Sequence, residues 1–195
     1  MAKEREHADA EILALRHKYR EKQAGHITDS RKILIGTDSV PLYKEILFGG
    51  ICSIMLPESM TDMDGTERMV RYQNRNRPTV IRTDADREAS MTFSILSPAD
   101  AGDAVPLSEQ LAKIRSDMKK IWKQNIFYDT GEVAADGGRV AWMDLRAYCL
   151  DGNLYSIIFL FRAEKKTVLG NFHCSFPRYD VWKPAVLRLL ATVRA

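Results

Sequence analysis

The feature that most constrains this fold is a run of period-two alternation in residues 139–176. The run contains three segments of strand length, residues 139–149, 154–162 and 168–176, separated by short polar loops. Alternation of this kind is typical of strands, because successive side chains point to opposite faces of a sheet. The pattern therefore predicts a three-stranded antiparallel meander.

The register of the meander follows from matching apolar faces, because a one-residue slip inverts a whole strand. We expect a three-residue first loop that pairs Leu150 with Leu154, and a four-residue second loop that pairs Ala163 with Val168. This register gives the sheet one apolar face. Its members are Ala141, Met143, Leu145, Ala147, Cys149, Tyr155, Ile157, Phe159, Phe161, Gly170, Phe172, Cys174 and Phe176.

The opposite face of the predicted meander is mixed, neither a clean core nor an ordinary solvated surface. Its candidate partner-binding residues are Trp142, Asp144, Arg146, Tyr148, Arg162, Asn171 and His173. Aromatic residues and arginine dominate binding hot spots, so this composition favours a contact surface. The alternative is that the long helix or the N-terminal segment covers the face. Residues 154–161, apolar on both faces, favour at least partial cover.

Other periodicities complete the predicted elements. Residues 43–48 and 51–56 flank Gly49-Gly50 and predict a hairpin, with short strands at residues 69–73, 79–82 and 91–96. Pro106 opens an amphipathic helix, and a last helix begins near Asp180. The stripe of the long helix comprises Leu107, Leu111, Ile114, Met118, Ile121 and Trp122.

The N-terminal part differs from the rest of the chain. Residues 3–22 predict a helix whose narrow stripe includes Ile12, Leu15 and Tyr19. This helix packs on the domain edge or serves as a homodimerisation arm. Residues 25–42 predict a linker, which divides the chain into an arm and linker at 1–42 and a domain at 43–195.

Composition excludes several classes of protein. The net charge of +3 does not by itself imply nucleic acid, and no apolar run indicates a secretory signal or a membrane span. The three cysteines are unclustered, which favours a reducing compartment. We expect a cytoplasmic protein that binds no nucleic acid and inserts in no membrane.

Several sequence pieces come in a recognisable order. They are Ile-Met-Leu-Pro at 54–57, the strand at 91–96, the long helix, the meander with Asn171-Phe172-His173-Cys174, and Trp182 at the start of the last helix. This order resembles the PsbP-like α/β/α sandwich superfamily, which includes DcrB-type bacterial proteins, over about residues 43–195. The resemblance implies an α+β fold, a mainly antiparallel sheet flanked by helices. It also implies a binding role, since members include an oxygen-evolving-complex subunit, a Ran-binding nuclear factor and secretion chaperones.

Catalytic and metal-binding motifs are weak. His173 and Cys174 are adjacent on one strand and point to opposite faces, so they cannot form a nucleophile–base pair within it. Asp62-Met63-Asp64-Gly65 lacks the first and last ligands of a calcium loop and predicts a polar turn. We expect no catalytic residue, metal or cofactor.

An arginine-rich segment at residues 68–87 is the remaining candidate. It holds six arginines, Arg68, Arg71, Arg75, Arg77, Arg82 and Arg87, against two aspartates. Arg75 and Arg77 are the candidate rim charges for an acidic partner, because the planar guanidinium suits carboxylates. The alternative is a solvated strand–loop–strand surface.

These patterns predict a non-enzymatic intracellular bacterial protein that binds another polypeptide. The specific expectation is a chaperone or adaptor for a secreted or membrane-associated partner. Two alternatives stay open: a small-ligand-binding domain, and an enzyme that uses Asp144, Arg146 and His173 on one sheet face.

Overall fold

The computed structural model describes residues 31–74, 76–86, 88–96, 105–149 and 152–195. Within these ranges the strands are β1 (Lys32–Ile35), β2 (Asp38–Leu47), β3 (Cys52–Pro57), β4 (Thr61–Asp62), β5 (Val80–Thr83), β6 (Ala89–Ile95), β7 (Ile126–Ala135), β8 (Gly138–Cys149), β9 (Gly152–Ala163) and β10 (Lys166–Ser175). The helices are α1 (Gly65–Arg71), α2 (Leu107–Ile121) and α3 (Tyr179–Leu190). None of the described helices is long and apolar enough to cross a membrane.

The strands form two antiparallel sheets. A small sheet has the order β1-β2-β3, and a seven-stranded sheet has the order β4-β5-β6-β10-β9-β8-β7. The main hydrophobic core lies between the small sheet, α3 and one face of the large sheet, which we call the inner face. A second apolar cluster lies between α2 and the opposite, outer face. The predicted α+β class, a mainly antiparallel sheet flanked by helices, is confirmed.

The first strands correct the predicted domain boundary. Ile33 and Ile35 of β1 are buried in the main core, and β2 begins at Asp38. The assignment of residues 32–42 to a linker is therefore wrong, because alternate side chains of this segment contact the core. The predicted N-terminal helix at residues 3–22 lies outside the described residues.

The hairpin at Gly49-Gly50 is confirmed. Leu47 pairs with Cys52 across the turn, and both glycines adopt positive φ angles of 72° and 101°. Glycine populates this region without the steric cost that a Cβ brings. The predicted buried face of β3 is also confirmed, since Cys52, Ile54 and Leu56 lie in the main core.

The predicted register of the first meander hairpin is wrong. Cys149 pairs with Gly152 and Ala147 pairs with Leu154, whereas we expected Leu154 opposite Leu150. The slip is three residues, an odd number, so it turns β8 over relative to β9. Apolar matching failed here because both faces of the large sheet are covered, which removes the contrast that the matching relied on.

The second meander hairpin is also displaced, but by an even number. Phe161 rather than Ala163 lies opposite Val168, and Lys166 pairs with Ala163 around a two-residue turn. Glu164 in this turn has a φ of 56°. A two-residue slip keeps every side chain on its face. The predicted common face of Tyr155, Phe159 and Cys174 is therefore confirmed.

Two further elements differ from the prediction. Residues 65–71 form helix α1, where a strand at 69–73 was expected, and Asp64 caps it by accepting a hydrogen bond from the Thr66 amide at 3.0 Å. Strand β7 was not predicted. Its turn into β8 consists of Asp136 and Gly137, the Asp-Gly signal of a tight hairpin.

Candidate functional site: an open end of the large sheet

The corrected register divides the predicted contact residues between two faces. Trp142, Asp144 and Arg146 share the inner face with Tyr155 and Phe159. Arg162, Asn171 and His173 lie on the outer face, together with the apolar residues Ala141, Met143, Leu145, Ile158 and Leu160. The expected single mixed face therefore does not exist. The role of these residues in partner binding stays a prediction.

Asp144 lies at the centre of a buried ionic network. Its Oδ2 lies 2.7 Å from Nζ of Lys183 and accepts a 2.6 Å hydrogen bond from the Tyr155 hydroxyl, while Oδ1 accepts from the Asp129 amide at 2.7 Å. Lys183 also reaches Oδ2 of Asp129 at 2.8 Å. Buried charges are tolerated when they are paired and hydrogen-bonded in this way. The network therefore ties α3 to β7 and β8.

The pKa values of this network follow from its burial and charges. Burial opposes a charge on Lys183, but the nearby carboxylates of Asp144 and Asp129 outweigh it and leave the Lys183 pKa above its ordinary value. Burial, followed by the Asp144 charge, raises the pKa of Tyr155 well above its ordinary value. Lys183 is therefore charged and Tyr155 neutral near pH 7.

Trp142 is part of this buried region. Its side chain is 9% exposed, and Nζ of Lys183 lies 5.3 Å from the ring centroid. The indole also packs on β7, where a Cβ added to Gly131 would lie 2.9 Å from the ring. A helix therefore covers Trp142, but it is α3, whereas the alternative named the long helix or the N-terminal segment. Trp142 cannot serve as an exposed binding anchor.

His173 lies on the outer face, opposite Ser90 of β6 and Ser156 of β9. Burial, with a smaller contribution from the Arg71 charge, lowers the pKa of His173 to about 4. Its imidazole is therefore neutral near pH 7. Because Asp144 points to the inner face, the grouping of Asp144, Arg146 and His173 that the enzyme alternative needs is not formed.

The other two outer-face candidates differ in their contacts. Arg162 donates from Nη2 to the Val105 carbonyl at 2.8 Å. The Asn171 backbone carbonyl accepts from Thr92 Oγ1 at 3.3 Å, but its side-chain Oδ1 is buried and has no hydrogen-bond donor among the described residues. A nearby groove of about 240 Å³ at the β7–β8 turn is lined partly by Arg139, Phe161 and Arg162. Small-molecule pockets usually occupy roughly 300–1,000 Å³, so this groove gives the small-ligand alternative little support.

Arg146 and Tyr148 differ from the residues that precede them on β8. The Arg146 guanidinium carbon lies 4.9 Å from the Tyr148 ring centroid and 4.1 Å from that of Phe176. Its Nε is buried and has no hydrogen-bond acceptor. Tyr148 itself is 39% exposed. This end of β8 is therefore open to solvent.

Two apolar residues from α2 reach the same end of the sheet. Ile121 is 68% exposed, and Trp122, which follows the last turn of α2, is 43% exposed. Asn125 links the end of α2 to the end of β8. Its backbone amide donates to the Trp122 carbonyl at 3.1 Å, and its side-chain Oδ1 accepts from the Tyr148 backbone amide at 3.2 Å. We call Ile121, Trp122, Arg146 and Tyr148 the end patch.

Sequence periodicity misassigned half of this patch. Ile121 and Trp122 continue the stripe of α2, which predicted that they are buried. Leu111 is buried, and Ile114 and Met118 pack against the outer-face cluster. Ile121 and Trp122 lie beyond Met118, the last apolar residue of α2 that packs on the sheet, and both stay exposed. The signal that could have found them is the adjacent turn at Lys123-Gln124-Asn125.

The arginine-rich segment is largely neutralised within the fold. Arg82 contacts Glu45 of the small sheet at 2.8 Å and Asp62 at 2.6 Å, and Arg68 also contacts Asp62 at 2.9 Å. Arg71 pairs with Glu67 on α1 at 3.1 Å.

Three arginines of this segment remain, Arg75, Arg77 and Arg87. Arg77 is exposed, whereas Arg75 and Arg87 lie outside the described residues. The solvated-surface alternative fits the exposed Arg71 and Arg77, whereas Arg68 and Arg82 are half-buried in ion pairs. The role of Arg75 and Arg77 as rim charges stays a prediction.

Solved structures of other proteins share this architecture. Cyanobacterial PsbP (CyanoP) from Synechocystis sp. PCC 6803 matches with a TM-score of 0.57 at 13% identity, covering 82% of this chain and 95% of that one. The Ran-binding protein Mog1p of Saccharomyces cerevisiae matches with a TM-score of 0.52 at 12% identity, covering 80% and 96%. No protein-family model and no curated protein sequence matches the chain. The chain thus has a PsbP-like α/β fold, as its sequence predicts.

Proposed function

We propose that this protein is a non-enzymatic module that binds another polypeptide, and that the end patch is its contact surface. One observation carries the proposal: three large apolar residues are left exposed at one end of the sheet. Tyr148 lies on the inner face against Arg146, and Ile121 and Trp122 lie at the end of α2, which packs on the outer face. Tryptophan, tyrosine and arginine are the residue types enriched at binding hot spots.

The surroundings of the patch support this role. Trp142 and Asp144 at the centre of β8 are buried, so they leave no open aromatic surface there. The fold is also compatible with protein binding, since Mog1p, which shares it, is a Ran-binding protein. A chaperone or adaptor in the cytoplasm would use such a surface to hold a client segment.

A capture experiment tests the proposal. Tagged full-length protein would be used to recover partners from the cells that produce it, alongside the Trp122→Ala and Tyr148→Ala variants. A central aromatic anchor contributes about 2 kcal/mol or more, so each variant should lose most of the captured partner. Met69→Ala and Val70→Ala are the matched controls, because both residues are exposed and apolar but lie on α1.

Two outcomes would contradict the proposal. A partner captured equally by the end-patch variants and the α1 variants would move the contact surface elsewhere. A reproducible catalytic turnover of the purified protein, lost on His173→Ala, would instead favour the enzyme alternative.

A further inference from the structure

We propose that Arg146 docks a carboxylate of an acidic segment in the partner polypeptide, which makes it the specificity-determining residue of the end patch. This inference rests on the proposed protein-binding function and names the chemistry of the bound segment.

The first argument is the state of the Arg146 side chain. Within the described residues no carboxylate pairs with it, and its contacts are the rings of Tyr148 and Phe176. Nε is buried without an acceptor, and no hydrogen bond or ion pair engages the two Nη groups within the described residues. The Nη pair is therefore the part of the side chain that would form two parallel hydrogen bonds to an external carboxylate.

The second argument is that the guanidinium is held in place before a partner arrives. Phe176 stacks on Tyr179, with ring centroids 5.3 Å apart and an interplanar angle of 18°. Tyr179 in turn lies 5.7 Å from the ring of Tyr155, which belongs to the buried network. An arginine stacked on a rigid aromatic platform loses less conformational entropy when it binds a carboxylate.

The third argument is the charge of α2 and the turn after it, which lie on the outer-face side at the same end of the sheet as Arg146. Residues 113–125 hold five cations, Lys113, Arg115, Lys119, Lys120 and Lys123, against one acidic residue, Asp117, which pairs with Lys120. The helix dipole accounts for lysines in the last turn of α2, but not for Arg146 on β8. A local excess of positive charge attracts an acidic segment and accelerates its association.

A peptide segment fits this surface better than nucleic acid or a membrane does. The five cations lie on α2 and the turn that follows it, and the whole chain carries a charge of only +3. The apolar face of α2 is packed on the sheet as far as Met118, which leaves little apolar area for a lipid surface.

The test uses a randomised twelve-residue peptide library displayed on phage and selected on the full-length protein. We expect the recovered peptides to be enriched in aspartate or glutamate next to an apolar residue. Synthetic copies should bind the Arg146→Lys variant at least about tenfold more weakly, because lysine keeps the charge but loses the planar fork. Arg139→Lys is the matched control, since Arg139 lies on the same strand, is exposed and pairs with Glu132.

Each result decides the question. Peptides that depend on Trp122 but show no acidic enrichment, or that bind the Arg146→Lys variant unchanged, overturn the carboxylate docking and leave the protein-binding function standing. Failure to recover any peptide also overturns the carboxylate docking. It does not decide the protein-binding function, which the capture experiment tests. Arg146-dependent binding of a single-stranded oligonucleotide or of phosphatidylserine vesicles, with no acidic peptide bound, would replace the peptide with that ligand.

Discussion

The centre of β8 and its C-terminal end carry similar residues on the same face but differ in what surrounds them. Trp142 and Asp144 are covered by α3 and meet the buried Lys183. Arg146 and Tyr148 follow within a few residues and lie at the open end of the sheet. Aromatic and charged residues on a strand therefore do not by themselves mark a binding surface. Whether a helix covers such residues decides whether they are available to a partner.

The largest expected effect concerns the covered centre. Lys183 is 3% exposed, and Lys183→Ala leaves the carboxylate of Asp144 buried without its cation. Breaking a buried ion pair from one side costs about 3–5 kcal/mol, which chemical denaturation would measure. Lys120→Ala is the control, since its ion pair with Asp117 is exposed and its loss should leave the denaturation midpoint almost unchanged. Equal midpoints for the two variants would show that the buried network does not hold α3.

Substitutions of Trp142 and Trp122 sharpen the comparison between the covered and the open region. Trp142→Ala removes a buried indole and should cost about 3–5 kcal/mol of folding stability. Trp122→Ala removes an exposed one and should change stability by only about 0.5 kcal/mol while weakening partner binding. The measurements are a denaturation midpoint and a binding titration for each variant. A destabilised Trp122→Ala together with a neutral Trp142→Ala would reverse the assignment of covered and open regions.

The Gly131→Ala variant tests how tightly β7 packs against the Trp142 indole. A Cβ there would lie 2.9 Å from the indole, closer than packed carbons approach. Overpacking of this kind costs about 1–3 kcal/mol, and thermal unfolding would detect it. Ala134→Gly on the same strand changes one methyl group at an exposed position and controls for the glycine content of the strand. Unchanged thermal stability of Gly131→Ala would mean that the indole can move away from β7.

The expected effect that disappears near neutral pH is a pH dependence from the outer face. His173 has a folded-state pKa of about 4 against an ordinary value of 6.5. The unfolded chain therefore binds more protons between these values, and stability falls as the pH drops through that window. His173→Gln should flatten this acid limb while leaving stability near pH 7.5 almost unchanged, as denaturation midpoints at several pH values would show. An equally steep acid limb in the variant would assign the effect to other groups.

Local chemistry determined much of the fold. The Gly49-Gly50 turn, the alternation of β8 to β10 and the stripe that opens at Pro106 each predicted an element that the structure contains. These signals work because turn geometry and side-chain periodicity depend on neighbours in the sequence. The β7–β8 turn at Asp136-Gly137 was equally readable, although β7 was not predicted.

The candidate site was harder to predict. The prediction that Arg146 and Tyr148 lie on the same face is correct, because residues two apart on one strand share a face whatever the register. Their grouping with Asn171 and His173 did not survive, because it depended on the pairing between β8 and β9. The position of Trp122 depended on where the sheet stops beneath α2, which no local pattern contains.

The sequence alone thus determined the three strands of the meander, the Gly49-Gly50 hairpin and helices α2 and α3, and which side chains alternate within each strand. The tertiary structure decided which face each strand presents to its neighbour. It also decided which aromatic residues are covered, so that Trp142 is core and Trp122 is surface. The physical reason is that strand register and helix cover are set by contacts between distant segments. When both faces of a sheet are packed, hydrophobicity along one strand no longer distinguishes inside from outside.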